Sequence, residues 1–211
     1  MEQQPNNDLI ERIAKHLVLF SSFISNTGLY HGKTGIVLCL FHYARFTGKK
    51  LYEDFAGELL NEIREDMPKN MSVDFENGLC GIGWSIEYLI QNNFVKDDFN
   101  VIIASIDRKI MGWDIRRISD KSFPAGLNGM SCYINKRLHS PCRQTGDTPF
   151  DKTYLKDWKA VAGSTNYPDD RQILCNITET IPEGDNIPSW NLGLSNGCAG
   201  FILKNILNIQ L

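Results

Sequence analysis

Four short glycine boxes constrain this chain more than any other feature. They read His31-Gly32-Lys33-Thr34-Gly35, Asn77-Gly78-Leu79-Cys80-Gly81, Ala125-Gly126-Leu127-Asn128-Gly129 and Asn196-Gly197-Cys198-Ala199-Gly200. Each runs into an apolar stretch of helical length, from Ile36 to Phe46, Ile82 to Gln91, Met130 to Leu138 and Phe201 to Ile209. The second glycines are separated by 81 − 35 = 46, 129 − 81 = 48 and 200 − 129 = 71 residues. A spacing in the high forties is that of a repeated helical hairpin. One Gly-x-x-Gly carries no information, whereas four at matching places carry a fold.

Between the boxes the pattern is amphipathic. Leu9, Ile10, Ile13, Leu17 and Phe20 share a face opposite Glu11, Arg12 and Lys15, and Asp8 is the expected N-cap of that first helix. Ile36 to Tyr43 is apolar nearly all round, as in a helix covered on both sides, and Thr47-Gly48 should end it. Tyr52 to Asp66 has Phe55, Leu59, Leu60 and Ile63 inside, with Glu53, Asp54, Glu58, Glu62, Arg64 and Glu65 marking a solvated face. Phe99 to Gly112 is again amphipathic. Outer and inner helices therefore alternate. The expected fold is an all-α α/α toroid, an incomplete barrel of helical hairpins with a box at each inner-helix N-terminus, forming one domain over residues 1–211.

The periodicity weakens between His139 and Asn191, which reads as an irregular insertion. Tyr154 to Val161 suggests a short helix. Gln172 to Ile181 suggests another short element, strand-like over Ile173 to Ile177. Four boxes fit either an open toroid or the front portion of a longer one.

A formal charge of −3 gives no basic footprint for nucleic acid or an anionic membrane. No apolar run is long enough to span a bilayer, and Met1 to Asp8 lacks the positive region of a signal peptide, so a cytoplasmic location is expected. Cys39, Cys80, Cys132, Cys142, Cys175 and Cys198 form no Cys-x-x-Cys pair and read as buried free thiols.

Glycine at a helix start permits unusual backbone angles and close approach of neighbouring chain. Free N–H groups and a partial positive charge also gather there. A ring of such ends would face one cavity, polarised towards anionic or nucleophilic groups.

The stretches Gly28 to Ile36, Asn77 to Trp84 and Leu194 to Gly200 resemble the lanthionine synthetase C-like family, the cyclases of lantibiotic maturation and their relatives. The resemblance is good over residues 1–138, fair over 190–211 and poor between them. It implies an α/α toroid and a role in peptide modification. In the active cyclases two cysteines and a histidine hold zinc, and a Cys-His pair immediately precedes a box. The metal activates a peptide thiol for addition to a dehydroamino acid. The corresponding pair before the last box is Ser195-Asn196, and before the first box it is Tyr30-His31. The resemblance thus implies a non-cyclising or accessory, peptide-binding version; any surviving catalysis would be lyase-type thiol addition. No cofactor is expected. Zinc would need ligands converging from elsewhere, for instance His42 with Cys132.

The candidate site residues follow. His31 is a general base or orienting group, or else a loop histidine capping a helix end. Glu87, on an apolar helix, is a pocket acid or a structural ion-pair partner. Asn77 and Asn196 are helix N-caps or ligand contacts. Trp84 and Tyr88 are core aromatics or a stacking platform for a peptide or sugar. The expected partner is a peptide substrate or precursor peptide, with other maturation enzymes or self-association through an open toroid edge as further options. Two competing functions remain. One is an α/α-toroid carbohydrate-active enzyme using Glu87 and Asp114. The other is a purely structural interaction module.

Overall fold

The computed structural model describes residues 7–68, 70–95, 99–140, 148–162, 167–184 and 186–207. The expected run of the final helix to Ile209, the N-terminal residues before Asn7 and Cys142 lie outside these. In chain order the helices are α1 (Asn7–Phe20), α2 (Lys33–Thr47), α3 (Lys50–Asp66), α4 (Leu79–Gln91), α5 (Asn100–Met111), α6 (Leu127–Leu138), α7 (Lys152–Val161), α8 (Asp170–Ile177) and α9 (Cys198–Ile206). Among the described residues three 3₁₀ turns accompany them. Among the described residues there is no strand, only an isolated bridge between Asn191 and Gly197.

The chain divides into two compact units. The first joins Met1–Met67 to Asp169–Leu211, and the second is Pro68–Pro168. In the first unit α2 packs against both α3 and α9, and α1 packs against α9. This sandwiching explains why α2 is apolar all round: every residue from Lys33 to Phe41 is buried. Gly48, at φ +70°, closes the helix with its N–H on Ala44 O. α3 buries Tyr52, Ala56, Leu59, Leu60 and Ile63. Glu62 departs from the solvated face expected of it. It pairs at 2.6 Å with Lys33 Nζ, and Lys33 itself is only 4% exposed. Asp8 stands inside the first turn of α1 rather than at its cap.

In the second unit α4 packs against α5 and α6, and α4 is buried without interruption from Leu79 to Leu89. α5 turns Ile103, Ile106 and Ile110 inward. The helix expected near Tyr154 forms as α7, started by Asp151, whose carboxylate accepts from Tyr154 N at 2.7 Å. The strand-like segment at Ile173 to Ile177 is instead helix α8, in the first unit. Asp169 and Gln172 make a reciprocal capping box there, and Ile173, Leu174 and Ile177 fall on one buried face. Those local hydrogen bonds and the helical spacing outweigh the β-propensity of two isoleucines.

Candidate functional site at the paired glycine boxes

All four boxes adopt one local structure. The first glycine of each is the N-cap of its helix, with extended backbone and no side-chain cap. The helices therefore begin inside the boxes, three residues earlier than the apolar runs suggest. The N–H of the first helical residue reaches back seven residues to a carbonyl: Lys33 to Asn26, Leu79 to Ser72 and Leu127 to Asp120, each 2.9 Å, and Cys198 to Asn191, 2.7 Å. A Cβ on the first glycine would lie 2.5 to 2.7 Å from that same carbonyl oxygen in every box. A Cβ on Gly35, Gly129 or Gly200 would collide with the carbonyl of Leu29, Phe123 or Leu194 respectively. The glycines are thus required by close backbone approach; none of the four N-caps has a positive φ.

Within each unit two boxes are tied together. In the first, Ser195 N donates to Tyr30 O at 2.9 Å, Gly193 lies against the Tyr30–His31 backbone, and Gly35 lies against the Leu194 side chain. In the second, Phe75 N and Glu76 N both donate to Pro124 O at 2.9 Å, and Gly129 lies against Phe75. The tie recurs at one register, since Tyr30, Ser195, Glu76 and Pro124 each stand two residues before the first glycine of their box. Where the first and last boxes meet, the N-termini of α2 and α9 lie side by side.

That junction brings the stretch carrying His31 against the stretch carrying Ser195 and Asn196. His31 is exposed, with the Tyr30 ring edge-on at 6.3 Å. Asn196 is exposed at φ +47°, a left-handed conformation that asparagine tolerates better than most residues. Neither Asn196 nor Asn77 is an N-cap; that position belongs to Gly197 and Gly78. Asn77, in the second unit, donates its N–H to Asp74 Oδ1 at 2.7 Å.

The other sequence candidates on α4 lie beyond the second box along the helix, and Asp114 lies after α5. Glu87 follows the α4 N-cap by nine residues, about 13 Å along the helix. Its carboxylate is buried and receives Arg137 Nη1 at 3.0 Å, Ser140 Oγ at 2.6 Å and Gln91 Nε2 at 3.4 Å. Arg137 Nε reaches Asp107 Oδ2 at 2.9 Å, and Tyr133 Oη donates to Asp107 Oδ1 at 2.6 Å. Glu87 and Arg137 thus form a buried ion pair. Trp84 is fully buried and stacks on Tyr88 at 5.4 Å, with Phe75 at 5.7 Å and Lys136 Nζ 5.5 Å from its ring centre. Asp114 is exposed and engaged by Arg116 and Arg117, in a setting unlike that of Glu87.

Asp107, Arg137 and the Lys33–Glu62 pair escaped the sequence reading. Asp107 could have been found as Glu87 was: it sits i+4 from Ile103 and i−3 from Ile110, a carboxylate on an apolar stripe.

Comparison with protein families matches residues 24–210 to the family described as lanthionine synthetase C-like protein. The chain belongs to that family. The match runs through residues 139–189, where the box pattern alone is weakest. Comparisons with curated proteins and with solved structures give no match. Among the described residues, no three His, Cys, Asp or Glu side chains of this lanthionine synthetase C-like chain are grouped to hold a metal ion. Burial pushes the Cys198 thiol up to about 12, and pushes Cys39 and Cys80 further from ionisation. Burial depresses His42 to about 4, with Arg45 adding to the effect. No helix among the described residues is long and apolar enough to cross a membrane.

Proposed function

We propose that this chain is an accessory, non-cyclising member of its family that binds a peptide in peptide modification. The observation that carries the reading is the junction of the first and last boxes. There His31 and Ser195-Asn196 occupy the places before Gly32 and Gly197, where the resemblance leads one to expect a Cys-His pair before the last box. Serine and asparagine do not supply the thiolate and imidazole that zinc takes in such a site, and Cys198 is buried as the first residue of α9, off the position before the box. The donor set does not fit zinc, so no thiol-activation step is assigned to this site.

What the junction retains is suited to binding. His31 and Asn196 are exposed together beside the N-termini of α2 and α9, where the helix dipoles favour carbonyl oxygens and carboxylates, while the leading N–H groups of α9 are already taken by the Asn191, Leu192 and Gly193 carbonyls. His31 then orients a peptide group rather than transferring its proton. The α/α toroid belongs to the same proposal. It is supported by the hydrogen bond between the last box and the first, a contact that a linear stack of hairpins would not make. A single-domain protein acting beside other maturation enzymes in the cytoplasm is consistent with this reading. Nothing specific favours the carbohydrate-active alternative, because Glu87 is committed to Arg137.

Titration of the protein with a peptide containing cysteine and dehydroalanine, followed by calorimetry and mass spectrometry, tests the proposal. Saturable binding without thioether formation is expected, with His31→Ala weakening it several-fold. Catalytic ring closure, or no binding at all, would overturn it.

A further inference from the structure

Two carboxylates and one guanidinium meet inside the second unit. Glu87 is 1% exposed, Asp107 1% and Arg137 7%. Glu87 lies on α4, Asp107 on α5 and Arg137 on α6, so three helices converge on a single cation. The hydrogen bonds are complete and unequal. Glu87 receives Arg137, Ser140 and, more distantly, Gln91. Among the described residues Asp107 receives only Arg137 and Tyr133. The nearby cation Lys136 acts at one remove, donating to Gln91 Oε1 at 3.0 Å. The other titratable group on the packed helices that bears on Asp107 is Cys80 of α4, itself buried and held neutral.

Two negative charges sharing one positive charge in a low-dielectric interior repel each other, and a proton on one of them relieves the imbalance. The oxygen with fewer donors is the favoured place for it. We propose that Glu87, Arg137 and Asp107 form a proton-binding triad that fastens α5 to α4 and α6 most firmly when it holds one proton, on Asp107. Burial, with Glu87 adding to it, displaces Asp107 titration upwards from its ordinary 3.8, while Tyr133 and Arg137 pull the other way. Because the folded-state value lies above the unfolded one, the stability from this group is fully present below 3.8 and is lost as pH rises through the folded value. A solvated aspartate–arginine pair would behave in the opposite sense. The proposal concerns the anchoring of the outer helix α5 and is independent of whether a peptide binds at the boxes.

Carbon-13 NMR of the aspartate carboxyls over a pH series tests it in the intact wild-type protein. The Asp107 resonance, assigned by its loss in Asp107→Asn, is expected to titrate above 3.8. In Glu87→Gln, where one guanidinium serves one carboxylate, the midpoint should move down. A wild-type midpoint at or below 3.8, or a midpoint unmoved by Glu87→Gln, would overturn the triad. If Glu87→Gln does not fold, the wild-type titration alone decides.

Discussion

Ser195 donates its backbone N–H to the carbonyl oxygen of Tyr30 at 2.9 Å, across 165 positions of sequence (195 − 30). This bond and the approach of Gly193 to His31 fasten the last glycine box to the first. They make α9 a neighbour of α2. The equivalent bond from Glu76 to Pro124 shows that the tie is a repeated device of the boxes, used once in each unit.

Gly32, Gly35, Gly78, Gly126, Gly129, Gly197 and Gly200 leave no room for a Cβ. Gly200→Ala drives a Cβ into the Leu194 carbonyl, a backbone atom that cannot swing away. A loss of about 3 kcal/mol or more is expected. Gly57, midway along α3 with nothing within 4 Å of its missing Cβ, is the control. Gly57→Ala should gain about 0.5 to 1 kcal/mol from the lower entropy of the unfolded chain. Urea denaturation of both variants checks the pair; equal effects would contradict the packing role.

Arg137→Met strands two buried carboxylates. Breaking a buried ion pair from one side costs about 3 to 5 kcal/mol, and a cost in that range is expected here. Arg116→Ala removes a pair of similar length to Asp114, but with the arginine side chain 60% exposed. Its effect should be far smaller, because solvent screens an exposed pair. Thermal unfolding distinguishes the two, and a near-neutral Arg137→Met would contradict the network.

His42 should make the fold acid-sensitive. Its folded-state value of about 4 lies below the ordinary 6.5, chiefly because burial disfavours the imidazolium. As pH falls below 6.5 the unfolded chain takes up a proton that the folded chain refuses, so stability is lost down to about 4. The 6.5-to-4 interval, at about 1.4 kcal/mol per unit, limits the loss to about 3 kcal/mol. His42→Phe should flatten stability over that window. A pH dependence of stability between 6.5 and 4 that is the same in wild type and His42→Phe would contradict the burial of a neutral ring.

The sequence made the helices and their alternation legible because inner helices are buried all round and outer ones on a stripe. That contrast survives in composition, as at Ile36 to Tyr43 against Tyr52 to Asp66. Where each helix starts was less legible. Asn77 and Asn196 look like N-caps, yet a loop that bonds seven residues back puts glycine there and leaves the asparagines one step outside. Asp107 and Arg137 were missed because a charge partner thirty residues away, as in 137 − 107, leaves no local signature. Glu87 was visible only because its own helix is otherwise apolar. Glu62 reads as part of a solvated face because its partner Lys33 lies on another helix.

Metal content bears most directly on the claim that this family member binds without zinc chemistry. The measurement is elemental analysis of protein purified with neither added metal nor chelator, at known concentration. Zinc well below one ion per chain is expected, unchanged in His31→Ala. One zinc per chain, lost in His31→Ala, would contradict it and return the junction of His31 and Asn196 to the cyclases.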